Sequence, residues 1–217
     1  MVGTTATPAQ VRVLAGINGA GKSSVVGATI RDKGGEYYNP DEAARAILAA
    51  NPGLSQTEAN AAAWEQGRTL LRRAIDEGLD FAFETTLGGN TIPALLADAA
   101  ARGSEVRLFF VGLDGVEAHI ERVRQRVRGG GHDIPEAAIR RRYRHSRINL
   151  INLLSLLTEL RMYDNSATAD PATGQAPTPM LVLHMQRGRI VGPPDLTATP
   201  AWAQPIVAAA LEQSQNM

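Results

Sequence analysis

Short apolar runs closed by glycine or polar clusters alternate along this chain with longer stretches in which apolar residues recur every three or four positions, a pattern that predicts strands alternating with helices. The run VRVLAGI, Val11 to Ile17, is rich in β-branched residues and predicts a buried parallel strand. A helix is expected to begin near Lys22 and to fade at Lys33-Gly34-Gly35, and EYYNP reads as a short second strand. Asn39 is placed to cap the following helix, with Pro40 at its first position. LSQTEANAAAWEQGRTLLRRAIDEG predicts one long helix stopped by Gly78, and DFAFETT a third strand carrying Glu84 near its end. Asn90 or Thr91 caps a helix that runs to Gly103. VRLFFVGL, Val106 to Leu113, is the most continuous apolar segment and the expected central strand. Then come a helix over DGVEAHIERVRQRV, a loop over GGGHDIP and an arginine-rich helix into INLLSLLTEL. RMYDNS predicts a fifth strand, ATADPATGQAPTP a loop, LVLHMQRGRIVG a hairpin turning at Arg187-Gly188, and the tail a final helix.

Strands alternating with helices at this spacing imply an α/β fold with a mainly parallel five-stranded sheet and a small C-terminal hairpin. At 217 residues the chain suffices for one substantial core, so 1–217 is expected to form one domain, with a core over about 10–166 and an extension over 167–217.

Composition narrows the chemistry. The formal net charge is zero, which weakens the case for a general nucleic-acid binder. The cations are nonetheless uneven: Lys22 and Lys33 are the only lysines, while nine of the twenty arginines fall between Arg122 and Arg147. Without cysteine, thiolate metal sites, thiol nucleophiles and disulfides are excluded. No apolar stretch approaches the roughly 20 residues needed to span a bilayer, and MVGTTATPAQ lacks the basic and apolar regions of a leader, so a cytoplasmic protein is expected.

GINGAGKS, Gly16 to Ser23, satisfies G-x-x-x-x-G-K-[ST] between a predicted strand and a predicted helix. Glycines there let successive N–H groups of Gly16, Asn18, Gly19, Ala20 and Gly21 point at phosphate oxygens, and the helix N-terminus adds its dipole. Lys22 can bridge the outer phosphates, the Ser23 hydroxyl can ligate magnesium, and Ser24 adjoins the phosphates. A purine nucleoside triphosphate with Mg2+ follows.

A phosphate loop serves kinases, motors and hydrolases alike, so the other strand ends must discriminate. Asp41, after the second strand, is either a charge favoured by its helix dipole or a base that orients an acceptor hydroxyl. Glu84, at the end of a strand of alternating phenylalanines, can hold magnesium through water or bind the acceptor, with Thr85 and Thr86 beside it. Two other readings stay open. TLGGN, Thr86 to Asn90, faintly echoes a transporter ATPase signature, but Asp114 is not followed by a glutamate, and Asp114-x-x-Glu117 reads as a capping box. The arginine cluster suggests a polynucleotide kinase or nucleic-acid module, yet only Tyr143 is interleaved as a stacking aromatic. Trp64, Tyr37 and Tyr38 read as packing residues, and His132 as a minor site candidate; His119, His145 and His184 lack metal-site spacing.

GINGAGKSS, NPDEAAR, FETTLGG, RVRQRVRGGGHDIPEAAIRRRYRHSRINL and YDNS, in this order, resemble the zeta-toxin-like P-loop kinases over roughly Val11 to Ser166. The resemblance implies a three-layer, nucleoside-kinase-like P-loop NTPase fold with an arginine-rich helical lid, and ATP-dependent phosphorylation of a small acceptor, UDP-N-acetylglucosamine in the best-known members. It implies Asp41 as general base, Lys22 as phosphate ligand and lid arginines as the clamp, with an antitoxin protein as a candidate partner. Where those members read Glu-Gly-Thr-Leu-Arg, this chain has Glu84-Thr85-Thr86-Leu87-Gly88, so Gly88 replaces a substrate-binding arginine and leaves the acceptor open.

The run RVRQRVRGGGH is asymmetric if helical. Ile120, Val123 and Val127 form the packed stripe, with Arg122 and Arg126 on one flank and Arg124 and Arg128 on the other. The family pattern falls on Arg122, Arg126 and His132, which leaves Arg124 and Arg128 as solvated charges. Arg126 and Arg142 are the expected clamp on the transferred phosphate, and Arg122 a nucleotide contact.

Overall fold

A computed structural model describes residues 7–22, 37–167 and 178–215. The helix expected after Lys22, Ser23 and Ser24 with it, and most of the loop expected before the hairpin lie outside the described residues. Five strands run parallel: β1 (Gln10–Ala15), β2 (Tyr37–Tyr38), β3 (Phe81–Thr85), β4 (Glu105–Gly112) and β5 (Glu159–Asp164). Their order is β2-β3-β1-β4-β5, and β6 (Met180–Gln186) and β7 (Arg189–Gly192) extend it antiparallel beyond β5. The parallel core is thus as expected, and β4 is the middle strand of seven. The C-terminal hairpin is not an appendage, however. It completes one mixed sheet, because Val182, Leu183 and Met185 bury against β5 and cover an edge that would otherwise expose unpaired backbone. Arg187 and Gly188 both take positive φ, the turn that matches strand twist in a two-residue hairpin.

Alternation explains how each strand serves two faces. Val11, Val13 and Ala15 of β1, Phe81 and Phe83 of β3, and Val106, Leu108 and Phe110 of β4 share the main core. Leu14, Ala82 and Val111 point to the opposite face, where Tyr37 packs. The main core is closed by α2 (Gln56–Glu77), α3 (Thr91–Ala101), α5 (Glu136–Leu153) and α6 (Gln204–Gln215), through residues such as Leu71, Leu96, Leu150 and Ile206. Burying each large apolar side chain stabilises the fold by about 1.5–3 kcal/mol relative to exposure. Trp202 joins this core from the segment before α6: a Cβ on Gly112 would come within 2.4 Å of its ring.

Helix ends follow the local signals in part. Asn39 caps α1 (Pro40–Ala50), its side chain accepting from the N–H groups of Asp41 and Glu42, and Gly78 ends α2 in the left-handed conformation. Three expectations fail. Asn90 stands at the N-terminus of α3 but makes no side-chain cap hydrogen bond. Asp114 and Glu117 form no capping box, since α4 (Val116–Arg128) starts after Gly115 with no side-chain cap, and Glu117 pairs with Arg140 at 2.8 Å. The arginine-rich helix does not reach Leu160. It ends at Leu153, a 3-10 turn spans Leu154–Leu156, and Glu159 and Leu160 pair with Arg107 and Leu108 of β4, where ladder hydrogen bonds and burial outweigh leucine's helical preference.

Candidate active site

The parallel strands end together, Ala15 in register with Thr85 and Phe110, so the Gly16–Lys22 loop stands at the middle of the carboxyl edge, where open α/β sheets bind ligands. The glycines of this loop are demanded by space as well as conformation. Gly16, Gly19 and Gly21 have φ of 141°, 81° and 81°. A Cβ on Gly16 would meet Val111 O at 2.3 Å, one on Gly19 His119 O at 2.7 Å, and one on Gly21 Asn165 Nδ2 at 2.5 Å.

Three side chains brace the loop from outside. Buried His119 of α4 places Nδ1 3.0 Å from Asn18 O, and because a carbonyl only accepts, Nδ1 carries the proton. Burial pushes the His119 pKa down to about 4, against the hydrogen bond to Asn18, so the ring is neutral near pH 7. Asn165, just past β5, donates Nδ2–H to Ala20 O at 2.9 Å, and Arg122 in turn donates to Asn165 O at 2.7 Å. Arg122, expected at the nucleotide, is therefore engaged in bracing the loop through Asn165.

Lys22 lies among Glu84, Asp41, Arg126 and Arg142. Burial lowers its pKa, Glu84 and Asp41 oppose that fall, and the two arginines add to it. Three cations and two carboxylates thus meet at the loop, and a polyphosphate would add the anionic partner for Lys22. Asp41 sits half-exposed in the first turn of α1, positioned by the Asn39 cap. Glu84 shares the Ala82 face of β3 and is buried; Tyr37 donates its hydroxyl to Glu84 Oε1, and Asn39 Nδ2 reaches the same oxygen at 3.4 Å. Asn39 thereby ties the helix bearing Asp41 to the strand bearing Glu84.

The nine arginines divide by partner. Arg124 pairs with Glu136 at 3.1 Å, Arg128 with Glu121 at 2.7 Å, and Arg140 with both Glu117 and Glu136, all at the surface. Arg126, two residues from both Arg124 and Arg128 on α4, faces inward: Nη1 lies 4.0 Å from Asp41 Oδ2, and Nη2 donates to His132 O at 3.3 Å. Gly131 permits this, since a Cβ there would come within 2.8 Å of Arg126 Cγ. Arg142 of α5 donates Nη1–H to Asn18 Oδ1 at 2.7 Å, joining the helix to the phosphate loop. Burial and Arg141 lower its pKa while Asp41 raises it, and a guanidinium keeps its charge throughout.

Thr85, Thr86 and Gly88 belong to the turn after β3. Thr85 Oγ1 accepts from Leu87 N at 3.0 Å, Leu87 has φ of 54°, and Asn149 of α5 donates to both Leu87 O and Gly89 O. Gly88 has a spatial reason: its missing Cβ would lie 2.8 Å from Arg142 Cγ and 3.2 Å from Arg142 Cα. The glycine that departs from the resemblance is thus where Arg142 packs.

Between this turn, α1, α2 and the 132–135 loop opens a cavity of about 440 Å³, lined by Asn18, Asp41, Glu84, Thr85, Thr86, His132 and Arg142 among others. Lys22 and Arg126 adjoin it through Asp41. No group of three or more acidic or histidine side chains converges among the described residues. Magnesium bound largely by nucleotide phosphates needs only one or two protein oxygens, so the acidic rim of Asp41 and Glu84 fits an ion that arrives with its triphosphate. Sequence reasoning missed Asn165 and His119 as loop braces, and it placed Trp64 in packing, whereas Trp64 is 46% exposed and lines the cavity.

Comparison with known proteins bears on the fold and the family. An uncharacterised protein of Haemophilus influenzae is 33% identical over 128 residues, covering 59% of this chain and 88% of the relative. Among solved structures, the AvrRxo1-ORF1:ORF2 complex with ATP superposes with a TM-score of 0.62 at 14% identity, over 94% of this chain and 64% of that one, so this chain spans under two thirds of its length. The PezAT chromosomal toxin–antitoxin system of Streptococcus pneumoniae superposes with a TM-score of 0.54 at 12% identity, over 99% and 88% of the respective chains. A kinase-like protein of Chloroflexus aurantiacus gives 0.51 at 13% identity, over 64% and 80%. At these identities the structures speak for the fold, that of P-loop kinases. Residues 4–170 match the family described as Zeta toxin, so this chain, with its phosphate loop, Asp41 and inward-facing arginines, belongs to the zeta toxin family of kinase-type P-loop proteins.

Proposed function

We propose that the protein is an ATP-dependent phosphotransferase that moves the γ-phosphate of ATP to a hydroxyl of a small acceptor, of which a nucleotide sugar such as UDP-N-acetylglucosamine is the first candidate. The observation that carries this reading is the meeting of Lys22, Asp41, Glu84, Arg126 and Arg142 beside a glycine loop and a cavity large enough for a second substrate. Beyond its bound nucleotide, an ATPase needs room for a water alone.

In this reading the backbone of Gly16 to Gly21 holds the phosphates, Lys22 bridges the outer ones, and Ser23 with Glu84 serves the Mg2+ that neutralises them. Asp41 accepts the acceptor hydroxyl's proton as its oxygen bonds to the γ-phosphorus, and the bond to the bridging oxygen breaks to leave ADP. An ordinary carboxylate suffices, because this transition state asks chiefly for position and charge neutralisation. Arg126 and Arg142 balance the charge spreading over the transferred group, while Thr85, Thr86 and His132 line the acceptor side. Family membership also makes an antitoxin protein a candidate partner.

The test is incubation with labelled ATP and a panel of UDP-sugars, nucleosides and cofactors, with products identified by mass. Lys22→Ala and Asp41→Asn should each abolish transfer, and Asp41→Asn should still bind ATP. Full transfer by Asp41→Asn removes the base assignment; brisk phosphate release with every acceptor unlabelled replaces the kinase by an ATPase.

A further inference from the structure

His119 and Asn165 brace the phosphate loop from outside, and both braces lead back to one place, the Trp202 segment before α6. Asn165 takes its position from the end of β4, donating its backbone N–H to Gly112 O at 3.0 Å while its side chain holds Ala20 O. The Trp202 ring occupies the space that a side chain on Gly112 would need, and it stacks on Phe110 with ring centres 6.1 Å apart. His119, which holds Asn18 O, meets the Tyr143 ring edge-on at 5.8 Å. The Arg147 guanidinium lies 4.0 Å from the centre of that same ring, its Nε donating to Tyr143 O at 3.1 Å and its Nη1 to Trp202 O at 3.3 Å.

Arg147 differs from the rest of its cluster. Arg124, Arg128 and Arg140 pair with surface carboxylates and Arg126 and Arg142 face the site, whereas half-buried Arg147 engages a ring and two carbonyls and forms no ion pair among the described residues. Trp202 is as telling: its indole N–H is buried without a hydrogen-bond partner, so packing holds the ring in place against the cost of an unmet donor. The space left between Ile17, His119, Tyr143, Arg147 and Trp202 is only about 10 Å³, so a shift of Trp202 is passed on to its neighbours rather than absorbed. We propose that Arg147 and Trp202 are positioning residues for the phosphate loop, backing the His119 and Asn165 braces together, so that nucleotide affinity depends on a segment beyond residues 4–170 that match the family. The inference rests on the phosphotransferase reading only for the nucleotide that the loop holds, since the bracing is a property of the free chain.

Amide hydrogen exchange of the Gly16–Lys22 loop in the free chain isolates the bracing. Arg147→Gln and Trp202→Leu should speed it roughly two- to thirtyfold, the range over which residues that touch no ligand modulate a site. Arg147→Gln removes no core side chain, so the test does not hang on the folding of Trp202→Leu. Arg147→Lys, which keeps a cation for the Tyr143 ring, should restore most of the protection. Val106→Ala removes core packing at the far end of β4 and should leave loop exchange unchanged. Combined with His119→Asn, Arg147→Gln should add little, because both act on Asn18. The Kd of a non-hydrolysable ATP analogue with magnesium should rise in the same variants by a similar factor. Unchanged loop exchange in Arg147→Gln, an equal rise in Val106→Ala, or full additivity with His119→Asn overturns the proposal. Failure of the kinase reading looks different: the analogue does not bind the unsubstituted chain, while the variants still loosen its loop.

Discussion

Arg126 directs a guanidinium nitrogen to within 4.0 Å of the Asp41 carboxylate, whereas Arg124, two residues earlier on the same helix, turns outward to Glu136. The difference follows from helix geometry, since residues two apart lie on nearly opposite sides. Arg126→Ala should therefore lower phosphoryl transfer by on the order of 10²-fold, as expected for one lost charge-stabilising donor. Arg124→Ala should stay near the unsubstituted rate; equal losses in the two variants, read as kcat/KM with the identified acceptor, would falsify the inward assignment.

Gly88 offers a second test. Its absent side chain makes room for the stem of Arg142, whose guanidinium holds Asn18. Gly88→Ala should push Arg142 aside and lower kcat, a displacement of about 1 Å being able to cost 10²-fold. Thermal stability should fall as well, because the added Cβ also crowds Arg142 Cα of α5 at 3.2 Å. If Gly88→Ala turns over normally, Arg142 is not positioned by this contact.

Stability is more exposed at Asn149. Its buried side chain satisfies Leu87 O and Gly89 O together, and leaving such groups unpaired costs about 1–3 kcal/mol. Asn149→Ala should lower Tm by roughly 2–4 °C for each kcal/mol lost in a chain of this size. Calorimetry in the absence of nucleotide reads this directly, and an unchanged Tm would mean that water replaces both bonds.

His119 predicts a pH dependence. Its pKa falls from the ordinary 6.5 to about 4 in the folded chain. Between those values the unfolded chain binds a proton that the folded chain refuses, so stability rises with pH across this window and is lost as pH falls through it. The full difference is on the order of 3 kcal/mol. Chemical denaturation of the unsubstituted protein and His119→Asn from pH 7 to pH 4 should show the steeper decline only where the histidine is present. Parallel declines would place the effect elsewhere.

Local signals carried much of the fold. The Asn39-Pro40 start of α1, the Gly78 stop of α2 and the Arg187-Gly188 turn each depend on the conformational limits of one or two residues, and each is where the sequence places it. The unequal arginines of α4 were legible too, because helical spacing alone separates Arg122 and Arg126 from Arg124 and Arg128. The boundary between α5 and β5 was not, since Glu159 and Leu160 become strand only by pairing with β4.

By itself, then, the sequence determined the alternating elements, the glycine loop with Lys22 and the acids at strand ends, because strand alternation, helical period and backbone sterics act over a few residues. Tertiary structure alone decided which side chains meet. Arg142 reaches Asn18 across 124 residues and Asn165 reaches Ala20 across 145, contacts that no local pattern encodes. Likewise Trp64 is of a residue type that usually packs, and only the placement of α2 on Tyr38 leaves its ring exposed where it lines the cavity. Periodicity distinguishes one face of a helix from the other, but whether a face meets protein or an open cavity depends on what the rest of the chain brings against it.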